Sequence, residues 1–275
     1  MADRFPGFVR DASRTPTISA QGFADRAALL AGLLTAGLLV AAEAAFVLGG
    51  LVPGTVAYAI ALLGLMGVAL ARWEHPEGRL AVALATVPVM RMASIALPAV
   101  IMPEYAWYVF IGIPTFLAVG LAARALALRP ADLGLRRTPW REVAFLAAVG
   151  AALGLAGFVI GAPDPLPPGA SLTEILVTLA VLVVFGAVLE ELLLRGLVQR
   201  VAAELVGGRA IFVSAALTGL LYLPSLNLRY AVLMVAVALL FGLVARRTGS
   251  IAGPVAGHAL LLATQLVVWP IVLGG

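Results

Sequence analysis

The chain has no cysteine and no lysine, and only two histidines, His75 and His258. Without cysteine there is no disulfide framework and no thiolate nucleophile or ligand. Charge of either sign is scarce, at 12% of the 275 residues. The formal net charge of +4 is carried by arginines scattered between apolar stretches. That scatter argues against a nucleic-acid surface and fits topology signals and headgroup contacts instead. The alternating apolar and polar residues of a membrane barrel are also missing.

What is present is hydrophobic length. Apolar residues make up 63% of the chain, well above the usual half of a soluble domain. Stretches of about 20 apolar residues recur, each long enough to cross a hydrocarbon core. The composition specifies an all-α, polytopic transmembrane helical bundle of about eight to nine spans. Nine apolar segments are readable, at 26–48, 55–71, 80–102, 105–128, 142–161, 171–194, 210–226, 230–245 and 251–273. Pro53-Gly54, Pro76-Glu77-Gly78, Pro103-Glu104 and the run from Pro163 to Gly169 fall between them, as breakers should. Residues 1–25 are polar, with Arg4, Arg10 and Arg14, and lack the apolar core and cleavage site of a removable signal peptide. They read as a cytoplasmic tail ahead of a single transmembrane domain, 26–275.

The arginines test this partition. Arginine-rich and arginine-poor connections alternate along the chain, beginning with a rich N-terminal tail and ending with a C-terminus that has none. By the positive-inside rule the N-terminus is cytoplasmic. Arg91 alone breaks the pattern, in the middle of the third segment. It must find a partner or a water path, and the expectation is that it pairs with Glu43 or lines the same cavity as Glu190. Glu43 lies near the outer end of the first segment, within reach of water. The spacings Gly150-xxx-Gly154 and Gly253-xxx-Gly257 put small residues on one helix face, a pattern of close helix packing.

The informative stretch is "GAVLEELLLRGL", Gly186 to Leu197, where an apolar helix meets two adjacent carboxylates and an arginine. Glu191 and Arg195 stand four residues apart with the acid first, the favourable order for a helical ion pair. Glu190 is rotated about 100° from Glu191 and has no such local partner. Either it reaches water near the cytoplasmic end of its segment, or it faces a cavity. A carboxylate in a partly dry cavity is a better proton acceptor and serves as a general base. His258 lies in the last segment, on the order of 12 Å from its cytoplasmic end and at a depth comparable with Glu190. It is either a hydrogen-bonded packing residue or a member of the same site. His75, in "RWEHPEGR", reads as a solvated loop residue.

The stretches "EELLLRGLVQRVAAEL", "AIFVSAALTGLLYLP" and "ARRTGSIAGPVAGHALLLA" resemble the three blocks of the CAAX-protease and bacteriocin-processing family of intramembrane endopeptidases. "LGLRRTPW", Leu133 to Trp140, resembles the segment that often precedes that core. The resemblance covers roughly residues 130–265. It implies a site in which a glutamate activates water while histidine and asparagine steady the oxyanion. Glu190, Glu191 and Arg195 match the first block, and His258 the histidine of the third. The family's asparagine is here Leu262. In the middle block the phenylalanine falls on Thr218 and the histidine on Tyr222. Leucine donates no hydrogen bond, and losing one oxyanion donor costs about 10²–10³ in rate. Tyrosine donates one but is a poor base at neutral pH.

The resemblance thus implies Glu190, Glu191, Arg195, His258 and Tyr222 as catalytic-site residues, with a membrane-associated protein or peptide as partner in the lipid bilayer. No cofactor is expected. A catalytic zinc site needs about three protein ligands. Glu190, Glu191 and His258 could supply three, but one acid is committed to Arg195, which argues against a metal. Three functions stay open: an intramembrane endopeptidase, a pseudoprotease that binds a partner without cutting it, and, from span count and buried charge alone, a small transporter.

Overall fold

Apolar stretches of this length satisfy their backbone polar groups only as helices when no water is at hand. The structure, a computed structural model, describes residues 18–96, 104–161 and 170–273, with the backbone alone for 18–29, 104 and 105. The described residues hold no strand. In chain order the helices are α1 (Ile18–Gly49), α2 (Leu51–Ala71), α3 (Pro76–Leu84), α4 (Thr86–Ala96), α5 (Glu104–Ala125) and α6 (Trp140–Gly161). A long helical run follows: α7 (Leu172–Val181), a π-helical stretch (Leu182–Val188), α8 (Leu189–Glu191), a second π-helical stretch (Leu192–Gln199) and α9 (Arg200–Val206). Then come α10 (Ala210–Tyr222), α11 (Leu228–Thr248), α12 (Ala252–Ala263), a third π-helical stretch (Thr264–Val268) and α13 (Trp269–Leu273). The expected turn from Pro163 to Gly169, Pro103 and most of the N-terminal tail lie outside the described residues.

Among the described residues eight helices are long and apolar enough to cross a membrane. The chain is an integral membrane protein. The third expected segment is a pair, α3 and α4. The sixth and seventh fall in one helical stretch, Leu172–Ser225. It turns at Gly207, whose φ of 58° favours glycine. Beyond that turn α10 comes back alongside the second π-helical stretch, and Ser214 Oγ donates to the Leu194 carbonyl over 3.1 Å. Where the sequence suggests an end at residue 194, the helix runs on to Val206. Leu197, Val198, Val201 and Ala202 are buried while Arg200 and Glu204 face outward and pair at 3.5 Å. An amphipathic extension of this kind is stable as helix although its charges make it look like a loop.

Hydrogen bonds sort the connections into two ends. Arg79, after α2, bonds Glu204 at 2.6 Å and the Leu126 carbonyl at 3.4 Å. Arg246 bonds the Gly208 carbonyl at 3.3 Å, and Ser250 bonds the Arg136 carbonyl at 3.0 Å. At the other end Asn227, which caps α11, donates to the Ile160 carbonyl at 2.7 Å. The arginine-rich connections therefore meet at one end of the bundle, as the alternation along the sequence requires.

The closest helix contact joins α6 and α12. A Cβ on Gly150 would run into the Gly257 carbonyl, and one on Gly253 would meet Leu146 at 2.8 Å. The small-residue spacings are thus a backbone-to-backbone seam. Gly120, by contrast, is exposed and has open space where a Cβ would go. Gly150→Ala is expected to cost about 1–3 kcal/mol through overpacking. Gly120→Ala, inside a helix and with room for the methyl, should instead leave stability unchanged or raise it by up to about 1 kcal/mol. Unfolding of the two variants in the same detergent checks the difference.

Candidate active site

Glu190 and Glu191 occupy α8, a three-residue α-helical piece between two π-helical stretches. Widened turns of this sort are rare and concentrate at functional sites. They lie about halfway along the run from Leu172 to Val206, well inside the helix and not at its end. Glu191 is fully buried. Arg195 Nη1 stands 3.1 Å from its Oε1, the ion pair that the four-residue spacing predicts. His258 Nδ1 lies 3.0 Å from the same oxygen. The other ring nitrogen, Nε2, is 3.7 Å from Glu190 Oε2. One imidazole thus bridges both carboxylates, and α8 and α12 are joined through it. Phe241 packs beside the ring, with centroids 6.4 Å apart.

The two glutamates differ in solvent access. The Glu190 side chain is 29% exposed, against 0% for Glu191. Glu190 opens into a cavity of about 190 Å³ inside the bundle, whose lining includes Arg91, Tyr108, Phe185, Thr218 and Tyr222. The doublet therefore splits as its helical phase suggests. One acid is tied down by Arg195 and His258, and the other faces space where a substrate or water can sit. Burying two carboxylates is costly unless each has a compensating partner. Arg195 offsets one, and the bridging imidazole is the group placed to offset the other.

Thr218 and Tyr222, the two positions of the middle block, line the same cavity. The Thr218 hydroxyl is used, donating to the Ser214 carbonyl at 3.0 Å. Tyr222 stacks edge-on against Tyr230, centroids 5.6 Å apart. Tyr230 in turn exchanges hydrogen bonds with Gln265, one at 2.9 Å and one at 3.2 Å. Leu262 takes no part in the cavity and is buried with Leu182 and Phe241. The chain's single asparagine, Asn227, is engaged at the opposite end of α11. His75 is exposed at the start of α3, as its charged surroundings suggest.

Glu43 does not reach water. It is 1% exposed and pairs with Arg91 at 2.6 Å. The expectation that it sits at a wet edge fails because its compensating charge comes from a helix 48 residues on, where no local spacing shows it. Tyr58 donates a second bond to the same carboxylate. Arg91 meets both alternatives offered for it, since it pairs with Glu43 and also lines the Glu190 cavity. Tyr58, Tyr230 and Gln265 went unread in the sequence. An amide in the apolar run "LLLATQLVV" is the one signal that could have drawn notice to Gln265. Among the described residues no group of three or more His, Cys, Asp or Glu is placed to hold a metal ion.

Comparison with known proteins adds a family. No curated protein matches the chain, and no solved structure does. Residues 172–264 match the family model described as Type II CAAX prenyl endopeptidase Rce1-like. That stretch is roughly a third of the chain and contains Glu190, Glu191, Arg195, Tyr222 and His258. The match agrees with the resemblance to the CAAX-protease and bacteriocin-processing family: the protein is an integral membrane protein, and its residues 172–264 are similar to a protease family of that kind.

Proposed function

We propose that this protein is an intramembrane endopeptidase that hydrolyses a peptide bond in a membrane-proximal protein or peptide. The observation that carries the reading is the unequal environment of two adjacent glutamates. Glu191 is held by Arg195 and His258, while Glu190 lies 3.7 Å from the imidazole with a cavity in front of it. Glu190 is the base that takes a proton from water. His258 orients Glu190 and offsets its charge, Glu191 and Arg195 fix the imidazole, and the Tyr222 hydroxyl is a hydrogen-bond donor to the substrate. No cofactor enters this scheme. The arginine-rich end of the bundle is taken to face the cytoplasm, which puts the N-terminus there and suits a plasma membrane of bacterial type.

A pseudoprotease is the second reading, favoured by one observation. Leu262 stands where the family has asparagine and is packed into an apolar cluster. The same cavity then binds a peptide or a partner helix without cutting it.

Purified protein incubated with prenylated and unprenylated peptides separates the two. Cleavage is expected, and Glu190→Ala should slow it by about 10²–10⁴, the usual contribution of a general base. Cleavage that persists in Glu190→Ala overturns the assignment. Capture of a peptide that depends on Glu190, with no cleavage by folded protein, supports the second reading.

The buried network has its own test. Removing one partner of a buried charge pair leaves the other uncompensated, at a cost of about 3–5 kcal/mol. Arg195→Ala should lower the unfolding midpoint markedly, and Glu191→Gln, which keeps the shape but removes the charge, should also lower it. Glu190→Gln, at a partly open position, should lower it least.

A further inference from the structure

Hydrolysis puts negative charge on the carbonyl oxygen of the substrate, and donors fixed in advance toward that atom are usually the largest single contribution in such sites. Two of the residues expected to supply them are replaced, by Leu262 and Tyr222. Leu262 has no donor and lies in an apolar cluster. His258 bonds Glu191 through Nδ1 at 3.0 Å, and its Nε2, 3.7 Å from Glu190, makes no hydrogen bond. Among the other polar side chains of the cavity, the Thr218 hydroxyl donates to the Ser214 carbonyl and the Ser94 hydroxyl to the Arg91 carbonyl, while Tyr222 offers a neutral donor.

Among the described residues one cation lines this cavity. Arg91 comes from α4, far outside the stretch that matches the family. Its Nε and Nη2 bond Glu43 at 3.2 Å and 2.6 Å. Nη2 also donates to the carbonyl of Leu221, the neighbour of Tyr222, at 2.6 Å. None of these bonds uses Nη1. The Arg91 side chain is 12% exposed while Glu43 is 1% exposed, so the arginine is the member of the pair that reaches the cavity. Tyr58 holds Glu43 from behind. A purely structural role does not need this arrangement, because two apolar side chains in place of a buried ion pair are often as stable or more so.

We propose that Arg91 is a catalytic residue of this chain, its guanidinium receiving the negative charge of the tetrahedral intermediate in the place of the family's absent histidine and asparagine. The proposal rests on the proteolytic reading. The oxygen of water bonds the carbonyl carbon as one of its protons passes to Glu190. The π electron pair moves onto the carbonyl oxygen, which lies against Arg91. On collapse that pair re-forms the C=O bond and the C–N bond breaks. Its electrons stay with nitrogen, which takes the proton from Glu190 and leaves as an amine. Glu43 and Tyr58 are positioning residues.

The test uses the full chain in detergent with four variants: R91K, the paired E43L/R91L, which removes both buried charges together, E43L/R91L/Y222H, and E190A. Melting reports folding. Two further readouts are cleavage of a peptide and affinity for a phosphinic peptide, a tetrahedral anion, relative to its neutral hydroxyethylene isostere. Folded E43L/R91L should lose about 10²–10³ in kcat with KM little changed. Its preference for the phosphinic peptide should fall by the same order. R91K should keep part of both, and Y222H should recover part of the kcat lost in the pair. E43L/R91L that melts like the parent and cleaves at the parent kcat overturns the proposal, while loss of cleavage in E190A alone leaves the proteolytic reading standing. If no peptide is cleaved, the proteolytic reading fails and the catalytic role of Arg91 falls with it, and the phosphinic preference then tells whether Arg91 receives an anion in a cavity that binds without cutting. Its absence in the parent protein, or its persistence in E43L/R91L, overturns the role of Arg91.

Discussion

The site depends on one buried contact, the imidazole of His258 set between Glu191 and Glu190. It joins α12 to the long helical run across 67 residues of sequence, at 3.0 Å on one side and 3.7 Å on the other. Arg195 completes it from within the same helix. In a protein this apolar, these charges are the expensive part of the fold. Each is tolerable because the others are already in place, so the network forms as a unit or not at all. Its rigidity lets two chemically identical neighbours diverge, with Glu191 immobilised and Glu190 left facing open space.

Much of this was legible in the sequence. Hydrophobic length gave the spans, and the arginine alternation gave the two ends that Arg79, Arg246 and Asn227 then join by hydrogen bonds. The four-residue spacing of Glu191 and Arg195 is local, so it could be read as a pair. The continuation to Val206 could not, because charges at Arg200 and Glu204 resemble a loop until the buried face opposite them is seen. The π-helical turns around the glutamates leave no mark in residue type. The pairing of Arg91 with Glu43 is among the expectations the sequence supports, but the depth of Glu43 is not legible there, because compensation between different helices has no period in the chain.

Two charged clusters therefore share one cavity, and they differ in origin. Glu190, Glu191, Arg195 and His258 lie in the stretch that matches the endopeptidase family, whereas Glu43, Tyr58 and Arg91 lie on the N-terminal helices outside it. Through Arg91, α4 is thus part of the cavity wall as well as a membrane anchor. Tyr222 sits at the meeting of the two, beside the Leu221 carbonyl that Arg91 holds and edge-on to the Tyr230 that Gln265 holds.

The seam between α6 and α12 bears on this site in a further way. Gly257, whose carbonyl touches Gly150, is the residue immediately before His258. No compressible side chain cushions that contact. The separation of α6 and α12 therefore sets the position of the turn that carries the imidazole, so the register of an outer helix bears on the spacing between the ring and its two acids.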